Sequence, residues 1–355
     1  MNHVWTKQVM LSFRAIGTFG GSMRRTLAVL YTFLLCALLN TVALAQSAAD
    51  PGAAEKQFAR QMAREHGLDA AAVLEILHRA TYRQSVIDTM QRPAEAKPWK
   101  DYRPIFVTQR RIDDGAAFLE DNRALLERVG GQYGVPPELI AAIIGVESNY
   151  GHTPMRYRVL DALVTLAFYY PPRATYFRSE LAQLLLLHSA AFPYAPEELT
   201  GSYAGAMGWP QFMPSSVAKY ARDGDADGKI DLWNSLPDIC ASVGNYFEAF
   251  GWQTGAPVAL RAQVAANART LEPKGLDPVY PLQQLAEWGY TADAKLDPAT
   301  PATLLRLDGV DGPEFWITFR NFQVISRYNK SPLYSMAVYQ LSEAIAAIEY
   351  SGLLL

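Results

Sequence analysis

Apolar positions recur at helical spacing along most of the chain. Residues 48–82 predict two helices, with Gly67 breaking the first and Asp69 able to cap the second. Residues 92–104, rich in proline and holding Trp99 and Tyr102, predict an aromatic connection. Helical periodicity resumes over 112–129, 136–147, 162–168 and 176–188. Between about 255 and 319 the period changes. Val258, Leu260 and Val264 fall at even spacing, and 303–307 and 315–318 read as strands around the turn Gly309-Val310-Asp311-Gly312. Two further helices close the chain, the second opening at Ser331-Pro332. No internal repeat or low-complexity segment appears. The pattern predicts a mainly α (α+β) protein: a helical core, an N-terminal helical piece and a small β-containing insertion.

The N-terminus departs from this pattern. Met23-Arg24-Arg25 precedes an apolar run over 27–42 and the ending Ala43-Leu44-Ala45. A basic start, a short apolar stretch and an Ala-x-Ala ending predict a secretory signal cut after Ala45, and so export to the periplasm. A retained anchor is the alternative, and would make the N-terminal segment the only membrane contact. Leu35 before Cys36 argues against lipid attachment there.

Charge narrows the partners. Residues 1–45 hold four basic and no acidic residues, so the remainder carries 28 Lys+Arg against 35 Asp+Glu. An acidic exported protein is a poor candidate for nucleic acid or anionic membrane surfaces. Only Cys240 remains beyond the signal, which excludes an internal disulfide. A monomer held by burial alone is expected.

The stretch from Pro136 to Gly151 holds the first candidate for chemistry. Pro136 and Pro137 suit a first helical turn, and Gly151 lies just past a plausible end. Leu139, Ile140, Ile143 and Ile144 form an apolar stripe that Glu147 continues. Apolar surroundings and the negative end of the helix dipole both favour a neutral carboxyl, as a general acid near neutral pH requires. A Glu turned outward to solvate the helix end fits the same pattern.

Asp223-Gly-Asp225-Ala-Asp227-Gly228-Lys229-Ile230-Asp231 carries a second signature. Oxygen ligands fall at loop positions 1, 3 and 5, Gly at 6, and the Lys229 backbone carbonyl at 7, the layout of a calcium loop. Position 12 is Asn234 rather than a bidentate Glu, and Asp238 could supply the missing carboxylate. The alternative is an Asp/Gly-rich surface turn in which Asp238 sits favourably at a helix start. No His/Cys cluster suggests zinc, and no motif suggests an organic cofactor.

Between these lies Gly201-Ser202-Tyr-Ala-Gly205-Ala-Met-Gly208-Trp-Pro-Gln211-Phe-Met-Pro-Ser-Ser216. It is too glycine-rich for a helix and lacks the Gly-Lys-Ser/Thr ending of a phosphate loop. Ser202 and Gln211 offer neutral hydrogen-bonding groups beside aromatics, which suits a sugar; an ordinary packed turn would look alike.

Taken in order, Gly145-Val-Glu147-Ser, this stretch, the acidic loop and Phe319-Arg-Asn-Phe…Arg327-Tyr328-Asn329-x-Ser331-x-x-Tyr334 closely resemble the membrane-bound lytic murein transglycosylase B family, from about Trp99 onward. The resemblance implies a lysozyme-like core bearing the calcium loop, with a signal at 1–45, an N-terminal helical domain at 46–98, core at 99–254, a β-containing domain at 255–318 and core-completing helices at 319–355. It implies peptidoglycan strands as substrate and Glu147 as sole acid/base, yielding 1,6-anhydro-muramyl ends without a second carboxylate. It also implies that Tyr102, Ser202, Gln211, Tyr328, Asn329 and Tyr334 line the sugar groove, and that Arg173 meets the stem peptide. Its calcium ligands would be Asp223, Asp225, Asp227, Lys229, Asp231 and Asp238. The chain departs from the family pattern with one arginine rather than two after Pro171-Pro172, with Trp209-Pro210 in place of an aromatic-Gly pair, and with Asn234. Two competing readings are a water-using muramidase with an Asp partner and a calcium-stabilised wall-binding protein without activity.

Overall fold

The computed structural model describes residues 50–92, 97–272 and 275–352. The expected signal segment, residues 1–45, lies outside these residues. No described helix is long and apolar enough to cross a membrane.

The chain divides into a short N-terminal unit and a larger one that starts at Ala71. The first unit contributes α1 (Pro51–His66). Asp50 caps its start by accepting from the Ala53 N–H, and Gly67, in the left-handed region, ends it as predicted.

The larger unit is mainly α-helical. After α2 (Ala70–His78) come α3 (Gln84–Met90), α4 (Trp99–Phe106), α5 (Gln109–Asp121), α6 (Arg123–Tyr133) and α7 (Pro137–Ser148). Three of these differ from the sequence expectation. Helix α3 has too few apolar residues to announce itself. Residues 99–106 form a helix despite Pro104, because Trp99 and Tyr102 bury one face in the core. The periodic run 112–129 is two helices, broken at Asn122, whose side-chain amide donates to the Phe118 carbonyl.

Next in the chain are β1 (Tyr157–Arg158), α8 (Val159–Tyr169), a 3₁₀ turn at Pro171–Arg173, α9 (Ala174–Leu186), β2 (Thr200–Gly201), α10 (Pro214–Tyr220) and α11 (Leu236–Ala249). The chain segment between α2 and α3 is bound to α8. Fully buried Asp161 accepts from the Thr81 N–H and from both Arg83 and Arg158, while Thr165 accepts from the Arg83 N–H. A buried carboxylate requires this degree of satisfaction.

The insertion follows: β3 (Ala259–Arg261), β4 (Gln263–Val264), β5 (Tyr280–Pro281), α12 (Leu282–Glu287), β6 (Tyr290–Thr291), β7 (Pro301–Gly309) and β8 (Gly312–Thr318). The main sheet has the order β3-β8-β7-β5, all pairs antiparallel, with the β7–β8 hairpin closing at Gly309 and Gly312. Alternation along β7 sends Leu305 and Leu307 into the helical core and Ala302 and Leu304 into a smaller core with Leu285, Tyr290 and Ile317. Buried Asn321 clamps the entry to the insertion, exchanging hydrogen bonds with Gln253 and Ala256.

Helices α13 (Arg320–Ile325) and α14 (Pro332–Gly352) then return to the core. The central element is α7. Every residue from Leu139 to Val146 is buried, so its apolar positions surround the helix rather than forming one stripe. Helices α4, α5, α6, α11 and α14 all contribute to the cluster around it.

Candidate active site

Helix α7 ends against three consecutive residues in the left-handed region: Asn149 (φ 51°), Tyr150 (φ 55°) and Gly151 (φ 81°). Such a run is unfavourable for non-glycine residues and needs a surrounding structure that over-determines it. Here Tyr150 is buried with its hydroxyl donating to the Arg111 carbonyl at 2.9 Å, and the Ser148 hydroxyl binds both the Ile144 carbonyl and the Gly151 N–H. Gly151 is required for a further reason. A Cβ there would lie 2.1 Å from the Trp209 indole, so the turn and the Gly-rich stretch meet without space for a side chain.

This turn leaves Glu147 in the last helical turn, half-buried, facing a cleft of about 60 Å³. Ser148, Thr153, Met155, Ser202 and Gln211 line the cleft with it. Glu147 is the only carboxylate among the lining residues. Burial pushes its pKa from 4.5 up to about 7, while a hydrogen bond from the Tyr334 hydroxyl to Oε1, 2.5 Å long, pulls in the opposite direction. The sequence expectation of a carboxyl kept neutral by apolar surroundings thus has a geometric basis, and the outward-facing alternative does not describe this side chain.

Tyr334 comes from the first turn of α14, distant in sequence and 3% exposed. Its ring stacks on Tyr328 at 6.5 Å and 15°, and burial raises both phenols well above their ordinary value, with Glu147 adding to the effect. The Tyr328 hydroxyl donates to the Pro210 carbonyl at 2.8 Å. It therefore fixes the wall carrying Trp209-Pro210.

The other expected groove residues divide. Ser202 and Gln211 enter the cleft, and both also brace their own loop. Ser202 Oγ accepts from the Ala206 N–H at 3.1 Å, and Gln211, at φ 51°, donates from Nε2 to the Gly208 carbonyl at 2.9 Å. Tyr102 does not line the cleft. It is 1% exposed, packed in the core between Trp99 and Phe106 and close enough to Tyr334 to influence its ionisation. Asn329 accepts the Ser331 N–H and so shapes the entry to α14. Arg173 is exposed, its guanidinium over the Tyr176 and Phe177 rings, and is not among the cleft-lining residues. Thr153 and Met155 were not foreseen. Only their position just beyond Gly151 could have suggested them.

In the acidic loop, oxygens of Asp223, Asp225 and Asp227 lie within 4.8 Å of one another. Ala226 and Gly228 take the left-handed region that lets the chain wrap this point. Asp223 Oδ2 accepts the Gly228 N–H at 2.8 Å, whereas its Oδ1 is buried with no hydrogen-bond partner among the described residues. A buried carboxylate oxygen without a hydrogen-bond partner, on a residue of a carboxylate cluster, is what a cation would satisfy. Burial raises the Asp223 pKa, but peptide N–H donors from Gly228, Ala226 and Asp227 outweigh it and leave the carboxyl below its ordinary value.

Asp231 and Asp238 are used differently. Asp238 is 2% exposed, and its two oxygens accept the Gly224 and Asp231 N–H groups, each at 2.7 Å. Asp231 accepts from the Trp233 and Asn234 N–H groups and from the Asn234 amide. These two carboxylates hold the loop's own backbone. Asn234 at position 12 is likewise spent on Asp231.

The Transglycosylase SLT domain family matches residues 52–343 of the chain. The membrane-bound lytic murein transglycosylase B of Escherichia coli (strain K12) is 42% identical over 301 residues, 82% of each chain. The chain belongs to this transglycosylase family. Among solved structures, catenated lytic transglycosylase SltB1 from Pseudomonas aeruginosa is 43% identical, with a TM-score of 0.77 over 82% of this chain and 96% of that one. The Escherichia coli lytic transglycosylase Slt35 in complex with calcium is 41% identical, with a TM-score of 0.75 over 83% and 93%. The protein is thus a lytic transglycosylase with a mainly α, lysozyme-like fold, an enzyme that cleaves peptidoglycan. Two of its sequence motifs, the end of α7 and the Gly-rich stretch, meet at one cleft, and Glu147 is the only carboxylate among the described residues lining it.

Proposed function

We propose that Glu147 performs both proton transfers of the reaction. The protonated carboxyl gives its proton to the glycosidic oxygen between N-acetylmuramic acid and N-acetylglucosamine, and the C1–O bond breaks with N-acetylglucosamine leaving as the alcohol. The muramyl 6-hydroxyl then attacks C1 and returns its proton to the Glu147 carboxylate, closing the 1,6-anhydro ring. No water is consumed. The nucleophile belongs to the substrate and is already held near its target, so the second carboxylate of a lysozyme-type pair is unnecessary. The observation that carries this reading is a single cleft carboxyl with a pKa near 7, able to give and regain a proton at neutral pH.

Tyr334 holds that carboxyl in register and stabilises its charged form after protonation of the leaving group. Ser202 and Gln211 offer the sugar neutral donors and acceptors. Tyr328 and Asn329 shape the groove from behind, and Tyr102 supports Tyr334 from the core. Arg173, exposed at the surface, is assigned by this reading to contact with the stem peptide.

Calcium is proposed as a structural ion, held by Asp223, Asp225, Asp227 and the Lys229 carbonyl, with Asp231 and Asp238 fixing the loop that presents them. Its contribution is charge neutralisation of a crowded acidic turn. Residues 99–254 and 319–355 would form the catalytic core, with 255–318 as an insertion and 46–98 as the N-terminal helical piece. The site of action would be the periplasm, reached through cleavage after Ala45, by a monomer.

Digestion of isolated peptidoglycan followed by mass spectrometry tests the reaction. Release of muropeptides lighter by one water than the hydrolytic products supports the intramolecular attack; hydrated ends would establish the water-using muramidase instead.

A further inference from the structure

We propose that Trp233 and the Leu232 peptide couple cation binding at the 223–231 loop to the geometry of the catalytic cleft. The inference rests on the calcium reading of that loop and goes beyond a purely stabilising ion.

The path runs through hydrogen bonds on the loop's exit. Asp231 fixes the segment 232–234 by accepting the Trp233 N–H at 2.8 Å and the Asn234 N–H at 3.0 Å. From there two contacts reach the cleft. Trp233 Nε1 donates to the Thr200 carbonyl at 3.0 Å. Thr200 opens the two-residue strand β2, and the next residues, Gly201 and Ser202, line the cleft. The Leu232 carbonyl accepts the Trp209 N–H at 2.9 Å. Gly208 approaches Leu232 so closely that a Cβ would lie 2.5 Å from the Leu232 carbonyl oxygen, and the Gly208 carbonyl in turn accepts both the backbone and side-chain N–H of Gln211. Ser202 and Gln211, two of the polar residues that line the cleft beside Glu147, therefore both depend on residues 232 and 233.

The loop's other contacts stiffen the same path. The Ile230 N–H donates to the Ala191 carbonyl at 2.8 Å, and the Trp233 ring packs against Tyr194 and Phe192. The Tyr194 hydroxyl also hydrogen-bonds Asp231. Leu232 is fully buried, so it cannot move without its neighbours. Without a cation, Asp223, Asp225 and Asp227 repel one another at the loop's head. Relaxing that repulsion shifts Asp231, and the two contacts carry the shift to Ser202 and Gln211. Coupling of this kind is reciprocal: a sugar that fixes the cleft must tighten the cation site by the same factor.

The test is a calcium titration by calorimetry on the full chain carrying Glu147→Gln, with and without a saturating murein tetrasaccharide. The tetrasaccharide is expected to tighten calcium binding about fivefold or more, and calcium to tighten the tetrasaccharide equally. Trp233→Phe, which keeps an aromatic ring against Phe192 and Tyr194 but removes the N–H donor, is expected to bind calcium while the coupling factor falls toward one. In the active enzyme, chelation is expected to raise KM more than it lowers kcat. Equal calcium affinity with and without the sugar overturns the coupling and leaves the loop assignment intact. Absence of calcium binding overturns both. A coupling factor unchanged in Trp233→Phe overturns the assignment of Trp233.

Discussion

The protein handles carboxylates in two opposite ways. At the end of α7 one glutamate stands alone, half-buried among apolar and neutral groups, and burial lifts its pKa to about 7. In the 223–231 loop three aspartates crowd within 4.8 Å, yet Asp223 is held below its ordinary value because peptide N–H groups point at it. The chemical group is nearly the same, and the difference lies in the supply of donors. Glu147 has one, the Tyr334 hydroxyl, and stays ready to exchange a proton. Asp223 receives several and is held charged beside two further carboxylates, so repulsion at the loop's head must be met by something other than protons. One arrangement suits the proposed acid and the other the proposed cation site.

The largest expected effect breaks the first half of this contrast. Glu147→Gln should lower kcat by about 10²–10⁴-fold with glycan binding retained, read from the rate of anhydro-muropeptide release. Lysis at the parent rate would show that the lone carboxyl is not the acid.

The same substitution should change stability with pH. The folded-state pKa lies above the ordinary value of 4.5, so the carboxyl costs nothing below about 4.5, and the penalty grows as pH rises to about 7. Glu147→Gln should therefore stabilise the protein at pH 8 but not at pH 4, by up to roughly 3 kcal/mol in denaturant melts. A pH-independent difference would contradict the burial argument.

The loop should respond to its ion. Calcium at about 100 times its Kd should stabilise the fold by about 2.7 kcal/mol, so chelation should lower the Tm. An unchanged melt would reduce the loop to a surface turn. Asp225→Asn should weaken that calcium response without abolishing folding.

The smallest effect sharpens the role of the single donor. The hydrogen bond from Tyr334 favours the ionised carboxyl, so Tyr334→Phe should raise the Glu147 pKa further. The alkaline limb of kcat/KM, expected near pH 7, should move up by about one unit or less. A downward shift would mean that the bond favours the neutral acid.

Local pattern made several elements legible. Gly67 and Gly151 lie in the left-handed region at helix ends, Ser331-Pro332 opens the last helix, and the β7–β8 hairpin turns where the glycines lie. These features depend on backbone preferences of neighbouring residues, which a sequence states directly. The order of Asp, Gly and Asp in the acidic loop is of the same kind, since its proposed ligands sit a few residues apart.

What the sequence alone determined was which residues have the chemistry: a glutamate ending an apolar helix, neutral polar groups in a glycine-rich stretch, and three closely spaced aspartates. Tertiary structure decided what each is used for. Tyr334 reaches Glu147 across 187 positions, Tyr102 goes into the core rather than the groove, and Asp238 binds peptide N–H groups. The physical reason is that burial and hydrogen-bond supply set the behaviour of a polar group, and both come from chain segments remote in sequence.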